Sequence, residues 1–523
     1  MSKISRRELI RAASLLGLAA FSRPVLAVPQ WITGKPRFID YPFKLGVASG
    51  DPTPTGVVLW TRLAPAPLDR TAVGADPIPV GYEIAADDRF RKIVRTGHVV
   101  AHPENAHAVH VDVEGLESGR PYWYRFRVGD EVSPVGRAMT APAMLAPTDH
   151  LRFAVASCQH YEQGYYTAYR DMVAQNPDLV VHLGDYIYEF SYSGSKVRRA
   201  PVKVARTLDE YRLLYATYKQ DPDLQAAHAH TSWYLNWDDH EVANDYAGIY
   251  DAKYEPTKSF LLRRAAAYKA YFEHQPLRRA AKPIGPNAFM YQRAAFGDLL
   301  EFNMLDTRQY RDDQPCQTPE NGGWRLIDDT CKERLDPKRT ILGMEQEHWL
   351  LGGSGLGRRP VKWNVITQGM LFSKHDFKLG PGEQFGSEYW DGYVGSRDRV
   401  LDVIEKRKVS NPVILGGDVH AYYVCDVKKD FDDPKSATVA SEFVGTSITS
   451  GNSHHYQNVK SLPDNPHIKL YDGRYRGYIL CDVDKKRWQS DLRIVKDVTS
   501  PELNASVLKS YVVEDGVAGP QEA

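Results

Sequence analysis

The chain has no surplus of charge: 66 Lys and Arg stand against 66 Asp and Glu, a formal net charge of zero at pH 7. That balance removes any electrostatic ground for expecting nucleic acid or an anionic membrane as partner. No segment reaches the roughly 20 consecutive apolar residues that a membrane-spanning helix requires, so no transmembrane anchor is expected. Low-complexity tracts and internal repeats are missing as well. With 42% hydrophobic and 25% charged residues, the composition excludes global disorder. Cysteine is scarce, five in 523 residues. The length predicts more than one structural unit, because a single core stops growing near about 250–300 residues.

What is present begins at the N-terminus. Ser5-Arg6-Arg7-Glu8-Leu9-Ile10-Arg11 sets an arginine pair ahead of the apolar stretch Ala12 to Phe21, and Val25-Leu26-Ala27 offers small residues for cleavage. This is the layout of a twin-arginine signal peptide over residues 1–27. It predicts passage through the twin-arginine translocation machinery and a periplasmic or secreted mature protein. That route carries folded cargo. An odd cysteine count in an exported chain calls for explanation. Cys316 and Cys331 lie in a loop-like segment rich in Gly, Pro and Asp. A disulfide there closes a loop of about 15 residues, worth on the order of 3 kcal/mol in the chain-entropy model. Cys425 and Cys481 sit in strand-like stretches and are expected to be free and buried. Cys158 stands apart.

Between Phe43 and Thr140 the chain shows short alternating segments separated by turn residues, clearest at Val57–Arg62, Val80–Ile84, Val109–Val113 and Tyr122–Val128. Strands so spaced, without helices between them, predict a small fibronectin-like antiparallel β-sandwich over 28–143. Two prolines between Ala141 and His150 mark a linker. From 148 to 523 the pattern becomes mixed α and β. Apolar strands at Leu151–Ala156, Leu179–Leu183, Thr231–Trp237, Leu299–Leu305, Trp363–Gln368 and Pro412–Leu415 each run into a polar cluster. Helices are predicted at Lys258–His274 and Glu345–Leu351. Chemistry is therefore expected at the carboxyl ends of strands, where such sheets gather ligands.

Four clusters carry metal-ligating side chains directly after an apolar strand. They are Cys158; Gly184-Asp185-Tyr186-Ile187-Tyr188-Glu189; Asp238-Asp239-His240-Glu241 with Asn244-Asp245 behind; and Gly416-Gly417-Asp418-Val419-His420. Several carboxylates at one sheet edge repel one another unless a cation neutralises them. Thiolate, phenolate and imidazole suit a transition metal, whereas Asp and Asn oxygens suit calcium or magnesium. The residues therefore point to two kinds of ion, without choosing iron over zinc.

G-D-x-x-Y after one strand, D-D-H-E after the next and a late G-D-x-H resemble a metallophosphoesterase core. Purple acid phosphatases carry a similar ladder, with G-N-H-E and G-H-x-H in the last two places. The Cys158 strand end, Trp237-Asp238-Asp239-His240-Glu241, Leu305-Asp306-Thr307-Arg308-Gln309-Tyr310-Arg311 and Leu415 to His420 together resemble the alkaline phosphatase D family over nearly the whole mature chain. Leu45 to Pro52 and Leu59-Trp60-Thr61-Arg62 resemble that family's N-terminal domain. The resemblance implies a β-sandwich core flanked by helices. It also implies Fe3+ on Cys158, Asp185, Tyr188 and His420. Asp185 would bridge to Ca2+, with Asp239, Asp418 and Asn244 as further ligands. The activity implied is hydrolysis of phosphate mono- or diesters by a metal-activated hydroxide attacking phosphorus. The phenolate of Tyr188 on ferric iron should give a charge-transfer colour.

His240 is the candidate to hydrogen-bond the phosphate or protonate the leaving group, and Arg308 a candidate phosphate clamp. Asp238 and Glu241 are expected to support the ligands by hydrogen bonding. Bland readings stand beside these: a buried structural histidine for His240, an ion pair with Asp306 or Asp312 for Arg308, packing for Tyr186. Trp390-Asp391-Gly392-Tyr393 suits a pocket wall and a loop anchor equally. A phospholipase-D-like phosphodiesterase would use the same centre, and an exported binding protein without catalysis would keep the fold. A serine hydrolase is excluded, because Gly352-Gly353-Ser354-Gly355 places Leu356 where its closing glycine belongs.

Overall fold

The computed structural model describes residues 36–523. The signal peptide expected over 1–27 lies outside the described residues. Two β-sheets pack face to face, and helices cover both outer sides. The larger sheet has ten strands. At its centre His150–Ala156, Leu179–His182 and Ser232–Leu235 run parallel, with Ala154 opposite Val180 and Val180 opposite Trp233. Arg476–Asp484 pairs antiparallel with the first of these, and Arg487–Val495 and Ala505–Glu514 extend that side. The second sheet has seven strands. Leu300–Met304, Trp363–Thr367, Pro412–Gly416 and Thr438–Val444 run parallel at its centre.

Strand alternation explains the layering. Phe153 and Val155 face the second sheet, where they meet Phe302, Val365 and Leu415. Ala154 and Ala156 face the other way, toward Tyr169 of the helix Thr167–Ala174 and Tyr268 of the helix Thr257–His274. Beyond the second sheet, Ile366 and Ile414 pack on Leu350 and Leu401 of the helices Met344–Leu351 and Val394–Arg407. Each large apolar side chain buried this way contributes about 1.5–3 kcal/mol. The result is a mixed α+β, helix-covered double sheet. No helix among the described residues is long and apolar enough to cross a membrane.

The strands expected between Phe43 and Thr140 form an antiparallel sandwich, and its two sheets have different fates. Ile78–Ala85, Ile93–Ala101 and Pro121–Val128 belong to a separate five-stranded sheet, whereas Val47–Thr53, Gly56–Arg62 and Ala108–Glu114 extend the ten-stranded one. Val80, Ile84, Tyr124 and Phe126 pack against Val57, Leu59, Val109 and Val111. The join is a parallel pairing of Ser49 with Ser232 and Gly50 with Trp233. A Cβ on Gly50 would lie 2.4 Å from the Pro276 carbonyl oxygen, so this close approach requires glycine. Cys316 and Cys331 form a disulfide with Cα atoms 6.0 Å apart. Cys158, Cys425 and Cys481 are buried and free.

Candidate metal centre

The parallel strands of both sheets end on the same side, and the polar residues that follow them converge there. The chain turns sharply at each strand end. Cys158, Asp185, Asp418 and His420 all have left-handed backbone, with φ of 59°, 57°, 63° and 52°. Non-glycine residues adopt this region at a cost, and such strain concentrates at functional sites. Gly184, at φ 118°, has no room for a side chain: its Cβ would lie 2.4 Å from the backbone nitrogen of Asp238. Two strand ends thus touch directly beneath the site.

The side chains meet in overlapping groups. Donor atoms of Cys158, Asp185 and His420 lie within 4.8 Å of one another, as do those of Asp185, Asp238, Asp239 and Asp418. Asp185, Asp239 and His240 form a third such group, and Asp239, Asp245 and Glu388 a fourth. Asp185 belongs to three of the four. The Tyr188 hydroxyl lies 3.0 Å from Asp185 Oδ2 and 3.0 Å from His420 Nε2. His420 Nδ1 lies 2.9 Å from the Gly451 carbonyl, which fixes that nitrogen as the protonated one and turns Nε2 toward the cluster. Glu241 accepts from the backbone N–H groups of Asp185 (3.1 Å), Tyr186 (2.7 Å) and Asp238 (2.9 Å). It ties two strand ends together from behind. His240 Nδ1 lies 2.7 Å from Glu189 Oε2, and its ring packs at a tilt of 32° against Tyr188 with centroids 4.1 Å apart.

The electrostatics show what these residues lack. Burial, and then the Asp185 carboxylate, push the Cys158 thiol well above its usual range. Burial raises the Tyr188 phenol, and Asp185 and Cys158 raise it further. Asp185 is raised by burial; His240 opposes this, while Asp239, Asp238 and Glu241 reinforce it. Asp418 is raised by burial and then by Asp238. Burial also works against the His240 imidazolium, but Asp239, Asp185 and Glu189 overcome it and hold its proton more tightly than usual. Donors packed so closely, with Cys158, Asp185, Tyr188 and Asp418 resisting their charged forms, form an arrangement that a multivalent cation stabilises. The thiol, phenol and imidazole suit a soft or borderline ion, and the carboxylates suit a hard one. The residues fit metal.

The structure shows the surroundings of three further groups of candidate residues. Arg308 is fully buried, its guanidinium paired with both oxygens of Asp238 and with Glu388, and its Nη2 lies 3.4 Å from Asp418. In this position it supplies counter-charge to the carboxylates. Asp306 meets its backbone N–H only. Asn244 is exposed and is tied to the site by its backbone N–H, 2.7 Å from Glu189 Oε1; the next residue, Asp245, joins Asp239 and Glu388. Trp390-Asp391-Gly392-Tyr393 is a buried anchor, with Trp390 Nε1 on Gln368 and Asp391 paired to Arg397. Glu388, Glu189 and Ser450 were not assigned roles from the sequence. Ser450 Oγ donates to the Tyr188 hydroxyl at 2.7 Å. The strand-then-polar pattern of Thr438–Val444 followed by Thr446-Ser447 was the available signal for it. Nothing local marks Glu388.

A helix-covered double sheet with such a donor cage at its strand ends defines the class of the protein, a phosphoesterase. The chain belongs to the PhoD-like phosphatase family: the family's model matches residues 153–492, and that of its N-terminal domain matches 29–142. It is similar to the alkaline phosphatase D of Bacillus subtilis (strain 168), 44% identical over 496 residues that cover 93% of this chain and 83% of that one. It is also similar to a solved structure described as the structure of PhoD, with a TM-score of 0.89 at 44% identity, covering 93% of both chains.

Proposed function

We propose that this phosphatase hydrolyses phosphate mono- or diesters outside the cytoplasm, with Fe3+ held by Cys158, Asp185, Tyr188 and His420 and Ca2+ held by Asp185, Asp239 and Asp418. Asn244 remains a further candidate for the calcium shell, and its neighbour Asp245, grouped with Asp239 and Glu388, offers another oxygen. The observation that carries the reading is the position of Asp185, shared among three groups of donors. When bound, the cations supply Lewis acidity toward phosphoryl oxygens and lower the proton affinity of water to about pH 7. Glu189 holds His240 by Nδ1, which leaves Nε2 to hydrogen-bond a phosphoryl oxygen or to deliver a proton to the leaving alkoxide. Arg308 and Glu241 keep Asp238 and the strand ends in place. The division into a signal over 1–27, a sandwich over 28–143 and a catalytic region over 148–523 accompanies this reading. Arg6-Arg7 and the small residues before Ala27 support export through the twin-arginine machinery to the periplasm or beyond.

Elemental analysis of protein purified after export, paired with hydrolysis assays on a phosphate monoester and a diester, tests the proposal. Bound iron and calcium with hydrolysis of either ester support it. Protein that binds no metal and hydrolyses neither ester overturns it in favour of an exported binding protein. Replacing Arg6 and Arg7 together by Lys should retain the protein in the cytoplasm; unchanged export contradicts the route.

A further inference from the structure

The motif Leu59-Trp60-Thr61-Arg62 takes no part in the metal centre, yet it ends in a buried cation. Arg62 is 7% exposed, and burial lowers its guanidinium only to about 10, so it stays charged at neutral pH. Nε donates to the Ala106 carbonyl at 2.9 Å, and Nη1 lies 2.8 Å from His274 Nε2. His274 donates through Nδ1 to the Ala270 carbonyl, so its Nε2 is an acceptor. Both partners of Arg62 are neutral. No carboxylate among the described residues lies within ion-pair distance of it, because nearby Glu273 is already bound to Arg212 and Lys269. Arginine is almost never buried without a counter-charge.

Arg62 lines a pocket of about 350 Å³ between the segment 63–75, the turn around Ala106 and His107, and the first turn of the helix Leu208–Tyr218. His107 lines it too. This ring is 3% exposed, and neither of its nitrogens has a hydrogen-bond partner. Unsatisfied buried polar groups in native proteins call for a ligand, ion or water. The acids on the rim are already engaged: Asp69 accepts from the Thr71 backbone and hydroxyl, and Asp209 pairs with Arg70. Leu63 and Val73 supply apolar wall. A volume near 350 Å³ falls in the range of small-molecule sites, above what a bare ion needs.

We propose that this pocket binds a small organic oxyanion, its phosphate-like or carboxylate group held by Arg62 and His107 and its apolar body lying along Leu63 and Val73. The anion supplies the counter-charge that Arg62 lacks and an acceptor for the His107 N–H. The site is separate from the metal centre, and the inference does not depend on which metals or esters that centre uses.

Two probes distinguish the sources of the oxyanion: phenylphosphonate, which has no ester bond to hydrolyse, and benzoate. Soaked crystals of the full chain should show one of them with its charged group on Arg62 and His107. Density for the phosphonate alone assigns a phosphate-like ligand; density for benzoate alone assigns a carboxylate. In calorimetric titrations the native protein should show one more binding event than His107→Leu. Ala75→Trp, which puts bulk at an exposed lining position, should lose the same event. Both variants should hydrolyse a phosphate ester at the native rate without added anion. Water alone in both soaks, or equal binding by native protein and Ala75→Trp, overturns the proposal.

Discussion

The Glu189 carboxylate holds the buried His240 ring by its Nδ1 at 2.7 Å, and with its other oxygen it holds the backbone N–H of Asn244 at 2.7 Å. One side chain thus sets the orientation of the candidate acid and the path of the loop behind it. Replacing His240 by Ala should lower kcat by about 100- to 10,000-fold. Glu189→Gln should lower kcat by about 10- to 100-fold with unchanged metal content, and should shift the alkaline limb of the pH–rate profile toward lower pH. A Glu189→Gln enzyme with the native rate and pH profile would remove His240 from the chemistry.

Cys158 and Tyr188 differ in what their loss should report. Cys158→Ala should lose the bound transition metal and nearly all activity. Tyr188→Phe keeps the ring that packs on His240 but removes the phenol, so it should lose the visible charge-transfer band while retaining a folded centre. Full metal content and activity in Cys158→Ala would falsify the proposed ligand set.

Arg308, fully buried, neutralises Asp238 and Glu388. Arg308→Met removes the cation paired with Asp238 and leaves Glu388 only the more distant Arg311, 3.8 Å away, which should cost about 3–5 kcal/mol of stability. Thermal unfolding of the metal-loaded and chelator-treated protein checks this, and the loss should be larger without metal. A phosphate clamp would instead show mainly as a raised KM with native stability.

The Cys316–Cys331 disulfide closes a surface segment whose inner side packs on Phe385. Replacing both cysteines by Ser should cost on the order of 3 kcal/mol, seen as a lower midpoint of thermal unfolding that reductant no longer alters. Reductant that leaves the native midpoint unmoved contradicts the assignment.

Glu442 is fully buried and accepts from the backbone N–H groups of Phe372 and Ser373. Burial, partly offset by these hydrogen bonds, pushes its carboxyl up from an ordinary 4.5 to about 7. The folded state therefore favours the protonated form. The contribution of this group to stability is fully present below pH 4.5 and is lost as pH rises to about 7. Relative to Glu442→Gln, which does not titrate, the native protein should lose about 3 kcal/mol across that window. A constant difference between the two would show that Glu442 titrates normally.

Strand positions and strand-end chemistry were readable without coordinates because both are local. A run such as Leu179 to His182 is apolar on both faces, as a strand between two layers must be, and Gly184-Asp185 follows it within a few residues. Glu388 was invisible for the opposite reason. It lies between Ser387 and Tyr389 in no motif, and reaches Arg308 from a separate loop, 80 residues away in sequence. The role of Arg308 turned on the same contact, since a guanidinium reads alike whether it faces phosphate or a buried carboxylate.

By itself, then, the order of residues determined the mixed architecture, the disulfide pair and the set of side chains with the right donor atoms, because periodicity and ligand chemistry are properties of neighbours along the chain. Only tertiary structure decided which carboxylates share a space, that one sheet of the N-terminal sandwich fuses with the main sheet at Gly50, and that Arg62 is buried without a counter-charge. Those outcomes depend on the pairing of distant segments, where packing and electrostatics act across space and leave no trace in local sequence.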